Sequence, residues 1–270
     1  MAAGKGSLSC VGVGMMLGAH IGPRARATIE QSDVVFGAVS DPLVELWLQQ
    51  MHADVRSLQP YYAEGKSRHD TYREMIAAML AEVRTGRQVC GAFYGHPGVF
   101  ARVPHKAIAQ ARAEGFEAHM EPGVSAEDCL YADLGIDPGE VGCQHFEASQ
   151  FMFYRRRIDP SAYLVLWQVG VAGDRSVRRF NTGRAYRRLL LERLAEDYPA
   201  DHVAILYEAA TLPIVAPRME RMPMWQLVDS DLQMHTTLVI PPALALQRDH
   251  TMLEKIRRLD GEVQIEAVSM

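Results

Sequence analysis

Along the first part of the chain, short apolar runs alternate with stretches of helical spacing. Leu8 to Val13 is an apolar run ending in Gly12-Val13-Gly14, and Ile21 to Gln31 has helical spacing. Asp33 to Phe36 predicts a second strand, Pro42 to Met51 an apolar helix, and Val55 to Leu58 a short third strand. Arg68 to Thr85 is the clearest amphipathic helix, with Tyr72, Met75, Met79 and Val83 recurring on one face. Val89 to Tyr94 and Glu117 to Met120 complete a set of about five strands, with a helix starting near Pro104 between them. Strands alternating with helices predict a parallel sheet covered on both faces.

The pattern changes after Pro122-Gly123. A helix is expected from Ser125 to Leu134, with Ser125 as its N-cap. Strand-like segments follow at His145 to Ala148, Tyr163 to Gln168, His202 to Tyr207 and Thr237 to Ile240, with a long helix from Arg184 to Tyr198. This predicts a second α/β lobe. The expected division is an N-terminal lobe over 7–121, a C-terminal lobe over 122–245, and a tail or helix over 246–270.

A length of 270 residues agrees with two lobes, since single cores stop growing near ~250–300 residues. The net charge of −5 argues against a general nucleic-acid binder. No apolar run reaches the ~20 residues of a membrane span, and Met1 to Gly6 carries no signal-peptide core. The expected compartment is the cytoplasm. Cys10, Cys90, Cys129 and Cys143 are far apart and form no Cys-x-x-Cys pair, and the ten histidines show no ligand spacing. Neither a disulfide framework nor a metal is expected.

Two strand-to-helix turns carry the first chemical signal. Tyr94-Gly95-His96-Pro97-Gly98-Val99-Phe100 follows an apolar run, and Glu121-Pro122-Gly123-Val124-Ser125-Ala126-Glu127-Asp128 comes later. In α/β proteins such turns open onto the crevice where ligands bind. Gly12-Val13-Gly14-Met15-Met16-Leu17-Gly18 is one residue too long for a dinucleotide fingerprint, although Asp33 sits about where its ribose carboxylate would be. A glycine turn with another role is the better reading. Arg68 and Tyr72, at i and i+4, share one helix face, and Tyr61 and Tyr62 precede them. This is either a reactive cluster or a surface arginine stacked on aromatic rings. Arginines also crowd Arg155-Arg156-Arg157 and Arg175, Arg178, Arg179, Arg184, Arg187 and Arg188. They form either a solvated face or a docking surface for an acidic segment or leader peptide.

Gly12 and Gly14, the Gly95-His96-Pro97 turn, and Pro122 to Ser125 leading to Leu134-Gly135-Ile136 resemble the tetrapyrrole methylase superfamily. The resemblance covers about residues 7–245, and departs where Met15-Met16-Leu17-Gly18 replaces the common Pro-Gly-Asp-Pro. Gly65 to Arg68 with Thr71-Tyr72, Tyr94 to Phe100, Pro122 to Asp128 and Leu164 to Gly170 are more similar to the borosin peptide α-N-methyltransferases. That resemblance implies an α/β fold of two lobes: a mostly parallel N-terminal sheet, a mixed C-terminal sheet, and the active site in the cleft between. It implies S-adenosylmethionine (SAM) as methyl donor and backbone amides of a ribosomal precursor peptide as acceptor. In fused members the acceptor lies at the enzyme's own C-terminus. Leu259 to Met270 shows no Val/Ile/Gly-rich tract, so the expectation is the split form acting in trans. A homodimer is expected, with a heteromer including the precursor as a variant. The alternatives are a methyltransferase of a small tetrapyrrole-like or other acceptor, and a non-catalytic SAM- or peptide-binding subunit.

The same resemblance assigns roles. An amide nitrogen is a poor nucleophile because its lone pair is delocalised into the carbonyl, so methylation requires loss of its proton and charge on the oxygen. Tyr72 is the candidate base, Arg68 the stabiliser of its phenolate or of the imidate oxygen, and Tyr62 the group that orients the amide oxygen. A cation roughly 4 Å away contributes about 4 kcal/mol gross at an effective dielectric near 20. That is enough to make a phenolate accessible without making it dominant. Tyr94, with His96, Val99 and Phe100, would line the sulfonium side of the donor. Ser125, Ala126, Gln168, Ala209, Thr236 and Thr237 would surround its adenosine and methionine parts, largely through backbone groups.

Overall fold

The computed structural model describes residues 6–39 and 41–268, with side chains described as far as residue 260. The first five residues of the N-terminal stretch and the last two of the expected tail fall outside the described residues.

The first half folds as β1 (Ser7–Gly12), α1 (Pro23–Gln31), β2 (Val34–Ala38), α2 (Pro42–Met51), β3 (Val55–Ser57), α3 (Arg68–Arg84), β4 (Gln88–Phe93), α4 (Arg102–Ala113) and β5 (Glu117–Glu121). The five strands form one parallel sheet in the order β3-β2-β4-β1-β5. Strand alternation explains why the apolar runs are nearly continuous. Leu8, Cys10, Val34 and Phe36 pack with Met75, Met79 and Val83 of α3 and Ala107 of α4. Val11, Val13 and Val35 pack on the opposite face with Ile29 of α1 and Leu48 of α2. The helical spacing expected over Arg68 to Thr85 matches α3, whose first turn is capped by the Ser67 side chain accepting from the His69 N–H (3.2 Å).

The second half folds as α5 (Ala126–Leu134), α6 (Pro138–Val141), β6 (Cys143–Glu147), α7 (Ala148–Phe153), β7 (Tyr163–Trp167), α8 (Arg184–Leu194), β8 (Val203–Glu208), β9 (Arg218–Pro223), β10 (Thr237–Ile240) and α9 (His250–Val268). The second sheet has the order β6-β7-β10-β8-β9. β6 and β7 are parallel and the remaining pairs antiparallel, so the sheet is mixed. The fold is α/β, with one parallel and one mixed sheet. α5 starts on Ser125, whose hydroxyl accepts from the Asp128 N–H (3.2 Å) while Asp128 accepts from the Ser125 N–H (2.7 Å). This reciprocal capping box fixes the helix start.

Two expectations shift, and one strand was not expected. The strand expected at His145 to Ala148 begins at Cys143 and stops at Glu147, whose carboxylate accepts from the Gln150 N–H (2.8 Å) and starts α7. The helix expected to reach Tyr198 ends at Leu194. β9, an edge strand of Arg, Met and Glu residues, has no apolar run to announce it. Among the described residues, no helix is long and apolar enough to cross a membrane.

Candidate active site

The carboxyl ends of β1, β4 and β5 meet in one knot of backbone. Gly14 and Gly95 exchange hydrogen bonds, Gly14 N–H to Gly95 O at 3.2 Å and Gly95 N–H to Gly14 O at 2.9 Å. β1 connects onward to β2 on one side of the sheet, and β4 connects to β5 on the other. That divergence is the switch point at which open α/β sheets bind ligands. A Cβ on Gly12 would stand 2.5 Å from Gly95 O and 2.8 Å from Gly123 Cα. A Cβ on Gly123 would likewise stand 2.5 Å from Gly95 O. Gly123→Ala is therefore expected to destabilise the chain by about 1–3 kcal/mol and to weaken SAM binding. Thermal melting and titration calorimetry check both effects.

The second sheet turns its own edge toward this knot. β7 ends at Trp167, β8 ends at Glu208, and antiparallel β10 begins at Thr237, which places Gln168, Ala209 and Thr236 at one edge. Three contacts bridge the two edges. The Leu17 N–H donates to Thr211 O (2.9 Å), the Phe100 and Trp167 rings lie 5.4 Å apart, and the Arg68 N–H donates to Val177 O (3.0 Å).

The residues expected to hold a cofactor line both edges of this cleft. Tyr94 is 50% exposed, as befits the wall of an open cleft. Burial first, and then negative charge on Tyr72, raises its hydroxyl pKa above the ordinary value. His96 Nδ1 accepts from the Gly98 N–H (2.9 Å), and the Val99 N–H donates to His96 O (3.2 Å), which tightens the turn. Phe100 is held at φ +49 and is exposed. Gln168 also has a positive φ, +59. Ala126 opens α5 and Ala209 follows β8. Ser125, Thr236 and Thr237 are buried. The Thr236 hydroxyl donates to Glu208 Oε1 (2.6 Å) and accepts from the Gln233 N–H (2.8 Å). The exposed aromatic faces of Tyr94 and Phe100 suit a sulfonium cation.

Tyr62 and Tyr72 meet edge to face, with ring centroids 6.4 Å apart. Burial raises the Tyr62 hydroxyl pKa, and the neighbouring Tyr72 and Tyr94 hydroxyls raise it further when charged; Arg68 pulls weakly the other way. Tyr62 thus keeps its proton and remains a hydrogen-bond donor. Tyr62, Tyr72, Tyr94 and Arg68 stand close enough to influence one another electrostatically, an arrangement that both readings of the spacing allow.

Arg68 is not free to serve a phenolate alone. Its Nη1 donates to Arg179 O (2.9 Å), and its Nη2 lies 3.6 Å from Asp174 Oδ2. Asp174, missed in the sequence, is buried. Burial would raise its pKa, but the Ser176 hydroxyl and the N–H groups of Arg179, Ser176 and Arg178 outweigh it and hold the carboxyl below the usual range. Those bonds measure 2.6 to 3.0 Å. The turn they impose places Val177 at φ +54, a strained conformation for a β-branched residue.

A second group missed in the sequence runs from β7 to α5. Trp167 Nε1–H, which can only donate, gives its hydrogen to His145 Nδ1 (3.1 Å). His145 Nε2 lies 2.8 Å from the Tyr131 hydroxyl, which donates to Glu127 Oε1 (3.0 Å). This pattern assigns the hydrogen of a neutral His145 ring to Nε2. Burial lowers the His145 pKa, with Glu127 opposing. In an unfolded chain the ring takes up its proton near pH 6.5, and in the folded chain only at lower pH, so acidification through that window favours unfolding. The melting temperature should fall between about pH 7.5 and about pH 5.5. His145→Gln should flatten that fall in a series of melting curves.

Residues 7–216 match the family described as Tetrapyrrole (Corrin/Porphyrin) Methylases. The chain is 42% identical over 243 residues to a Gymnopus fusipes protein named as a methyltransferase/ribosomally synthesized cyclic peptide gymnopeptides precursor, covering 88% of this chain and 57% of the relative. It is 40% identical over 262 residues to the Omphalotus olearius methyltransferase/omphalotin A precursor, covering 94% and 61% respectively. A Coprinopsis marcescibilis methyltransferase/type I borosin cyclic peptide precursor is 43% identical over 224 residues, covering 82% and 57%. The chain thus spans about three fifths of the length of these relatives. Among solved structures, uroporphyrin-III-C-methyltransferase from Thermus thermophilus superposes with a TM-score of 0.62 at 21% identity, covering 92% of this chain and 99% of that one. A cobalt precorrin-4 methyltransferase superposes at 0.61 and 16% identity, covering 87% and 94%.

Proposed function

The chain belongs to the tetrapyrrole (corrin/porphyrin) methylase family, and from that membership we propose that it is a SAM-dependent methyltransferase of backbone amides in a ribosomal precursor peptide. The observation that carries this reading is the cluster of Tyr62, Tyr72 and Tyr94 with one anchored guanidinium at the mouth of the cleft. Simple retention of a ligand needs no such set of proton-bearing groups. The names of the relatives, each a methyltransferase joined to a cyclic peptide precursor, support the choice of acceptor.

Bound SAM supplies an electrophilic methyl group on a sulfonium. The chain's own residues prepare the amide. Tyr62, protonated, donates to the amide oxygen and draws charge onto it. As a phenolate, Tyr72 would take the N–H proton, and Arg68 would stabilise first the phenolate and then the negative charge gathered on the amide oxygen. Tyr94 and Phe100 present aromatic faces to the sulfonium. Holding the donor carbon and the nitrogen in line supplies much of the acceleration.

The reading extends to action in trans on a separate peptide and to a homodimer, alone or joined by the precursor. Exposed Met252, Ile256 and Leu259 on α9, at helical spacing, offer an apolar face for self-association. It keeps the lobe division at 121/122 and the tail from 246. The test is tandem mass spectrometry of a Val/Ile/Gly-rich peptide incubated with the purified chain and SAM. Mass increments of one methyl, mapped to backbone amides, are the expected result. A peptide that stays unmodified while a tetrapyrrole-like molecule gains methyl groups overturns the reading. Light scattering that returns a monomeric mass removes the dimer.

A further inference from the structure

We propose that the loop 174–181, with Arg155, Arg156 and Arg157 beside it, is a docking surface for an acidic segment of the peptide that carries the acceptor residues. The inference rests on the peptide-methylation reading above and names what recognises the peptide. Its first ground is charge distribution. Residues 155–188 contain nine arginines against two aspartates, a net +7 in a chain of net −5, so the remainder carries −12. Both aspartates are already engaged: Asp174 inside its loop, and Asp159 by the Ser161 hydroxyl and N–H.

The arginines' own partners give the second ground. Arg24, Arg56, Arg84, Arg87 and Arg218 elsewhere each pair with a carboxylate. Among the described residues, Arg155 to Arg157, Arg175, Arg178, Arg179 and Arg188 are exposed and form no ion pair. Arg184 pairs with Asp229 (2.5 Å), and Arg187 is buried. Arg102, Arg112, Arg221 and Arg248 also lack an ion pair, so what sets this stretch apart is how many unpaired guanidiniums it brings together.

Placement is the third. The Tyr186 and Met152 side chains both approach Gly173, and Arg193 Nη2 donates to Arg156 O (3.1 Å). α7, α8 and the loop therefore converge, which sets Arg155 to Arg157 near the loop's own arginines, whereas Arg188 lines a separate hollow with Met224 and Trp225. A cavity of about 510 Å³ opens at the loop, lined by Arg178, Arg179, Phe180 and Asn181 on one side and Glu64 and Gly65 on the other. The loop is fastened to the N-terminus of α3 by Val177 O and Arg179 O, both bonded to Arg68. A segment held by the loop delivers its neighbouring residues to Tyr62 and Tyr72. Long polyanions and anionic membranes meet the negative remainder of the chain, and a short acidic peptide avoids it.

Two peptides with one Val/Ile/Gly-rich acceptor tract test this, one with an Asp/Glu flank and one with that flank changed to Asn/Gln. At roughly 50 mM salt the acidic peptide should show a KM about tenfold lower, and the gap should close toward roughly 500 mM. The variant Arg155→Glu/Arg157→Glu/Arg175→Glu/Arg178→Glu should lose the gap while its SAM Kd and its kcat on the neutral peptide hold. Equal KM values for the two peptides in the wild type overturn the proposal, as does a gap that survives in the variant. Fluorescence anisotropy of labelled peptides reads docking without turnover, so failure to methylate either peptide counts against the function and not against the surface. Tighter binding of an oligothymidylate or of phosphatidylserine vesicles than of the acidic peptide also overturns it.

Discussion

Replacing Tyr72 by phenylalanine, or Arg68 by alanine, is expected to abolish methyl transfer while SAM still binds. Losing a positioned base costs about 10²–10⁴-fold, and losing a charge stabiliser in a water-poor site about 10²–10³-fold. Neither side chain forms part of the glycine knot or of the Tyr94 to Phe100 wall, so donor affinity should stay near that of the parent. The measurement pairs single-turnover mass spectrometry with calorimetric SAM titration. Turnover that survives in Tyr72→Phe would pass the proton to another acceptor. Loss of SAM binding in both variants would move the two residues out of the reaction and into the binding of the donor.

Asp174→Asn should lower kcat roughly 10- to 100-fold, with SAM affinity held, because a displaced Arg68 misplaces the charge it brings to the cluster. Asparagine keeps the size and one acceptor oxygen but gives up the ion pair at 3.6 Å. Asp174→Ala removes the acceptor of three backbone N–H groups as well, and should destabilise the chain by about 2–3 kcal/mol. The depressed pKa of Asp174 adds a pH signature. Its stabilisation is present above the ordinary carboxylate range and is lost as the pH falls below about 4. The asparagine variant should lack that acid-dependent loss. A kcat equal to the parent's in Asp174→Asn would show that Arg68 is held well enough by Arg179 O alone.

How far the sequence could be read depended on the range of each interaction. α3 was visible because Tyr72, Met75, Met79 and Val83 recur with its own period. The capping box at Ser125 and Asp128 lies within one turn, and the glycine turns announce themselves locally. β1, β2 and β4 were legible as apolar runs because both faces of the sheet are covered there. Asp174 meets Arg68 more than a hundred residues away, and nothing near either residue encodes the meeting. Gly173-Asp174-Arg175-Ser176 did carry a faint local signal, an aspartate two residues before a serine, which favours a side-chain-to-backbone turn. The His145, Trp167, Tyr131 and Glu127 chain joins two strands and a helix, so its members look like isolated polar residues until the sheet forms. β9 was lost for a different reason: an edge strand with charged positions keeps little of the apolar alternation that reveals central strands.

At Gly12, Gly95 and Gly123 three turns touch through main chain alone. A library that varies every position should therefore show three narrow intolerant sites there. Loop positions outside this junction and outside the Tyr94 to Phe100 wall should accept change far more readily. The frame beneath the methyl donor and the side chains that meet an acceptor can then be inherited separately. New acceptors become reachable by editing loops, with no need to rebuild the junction on which the loops stand.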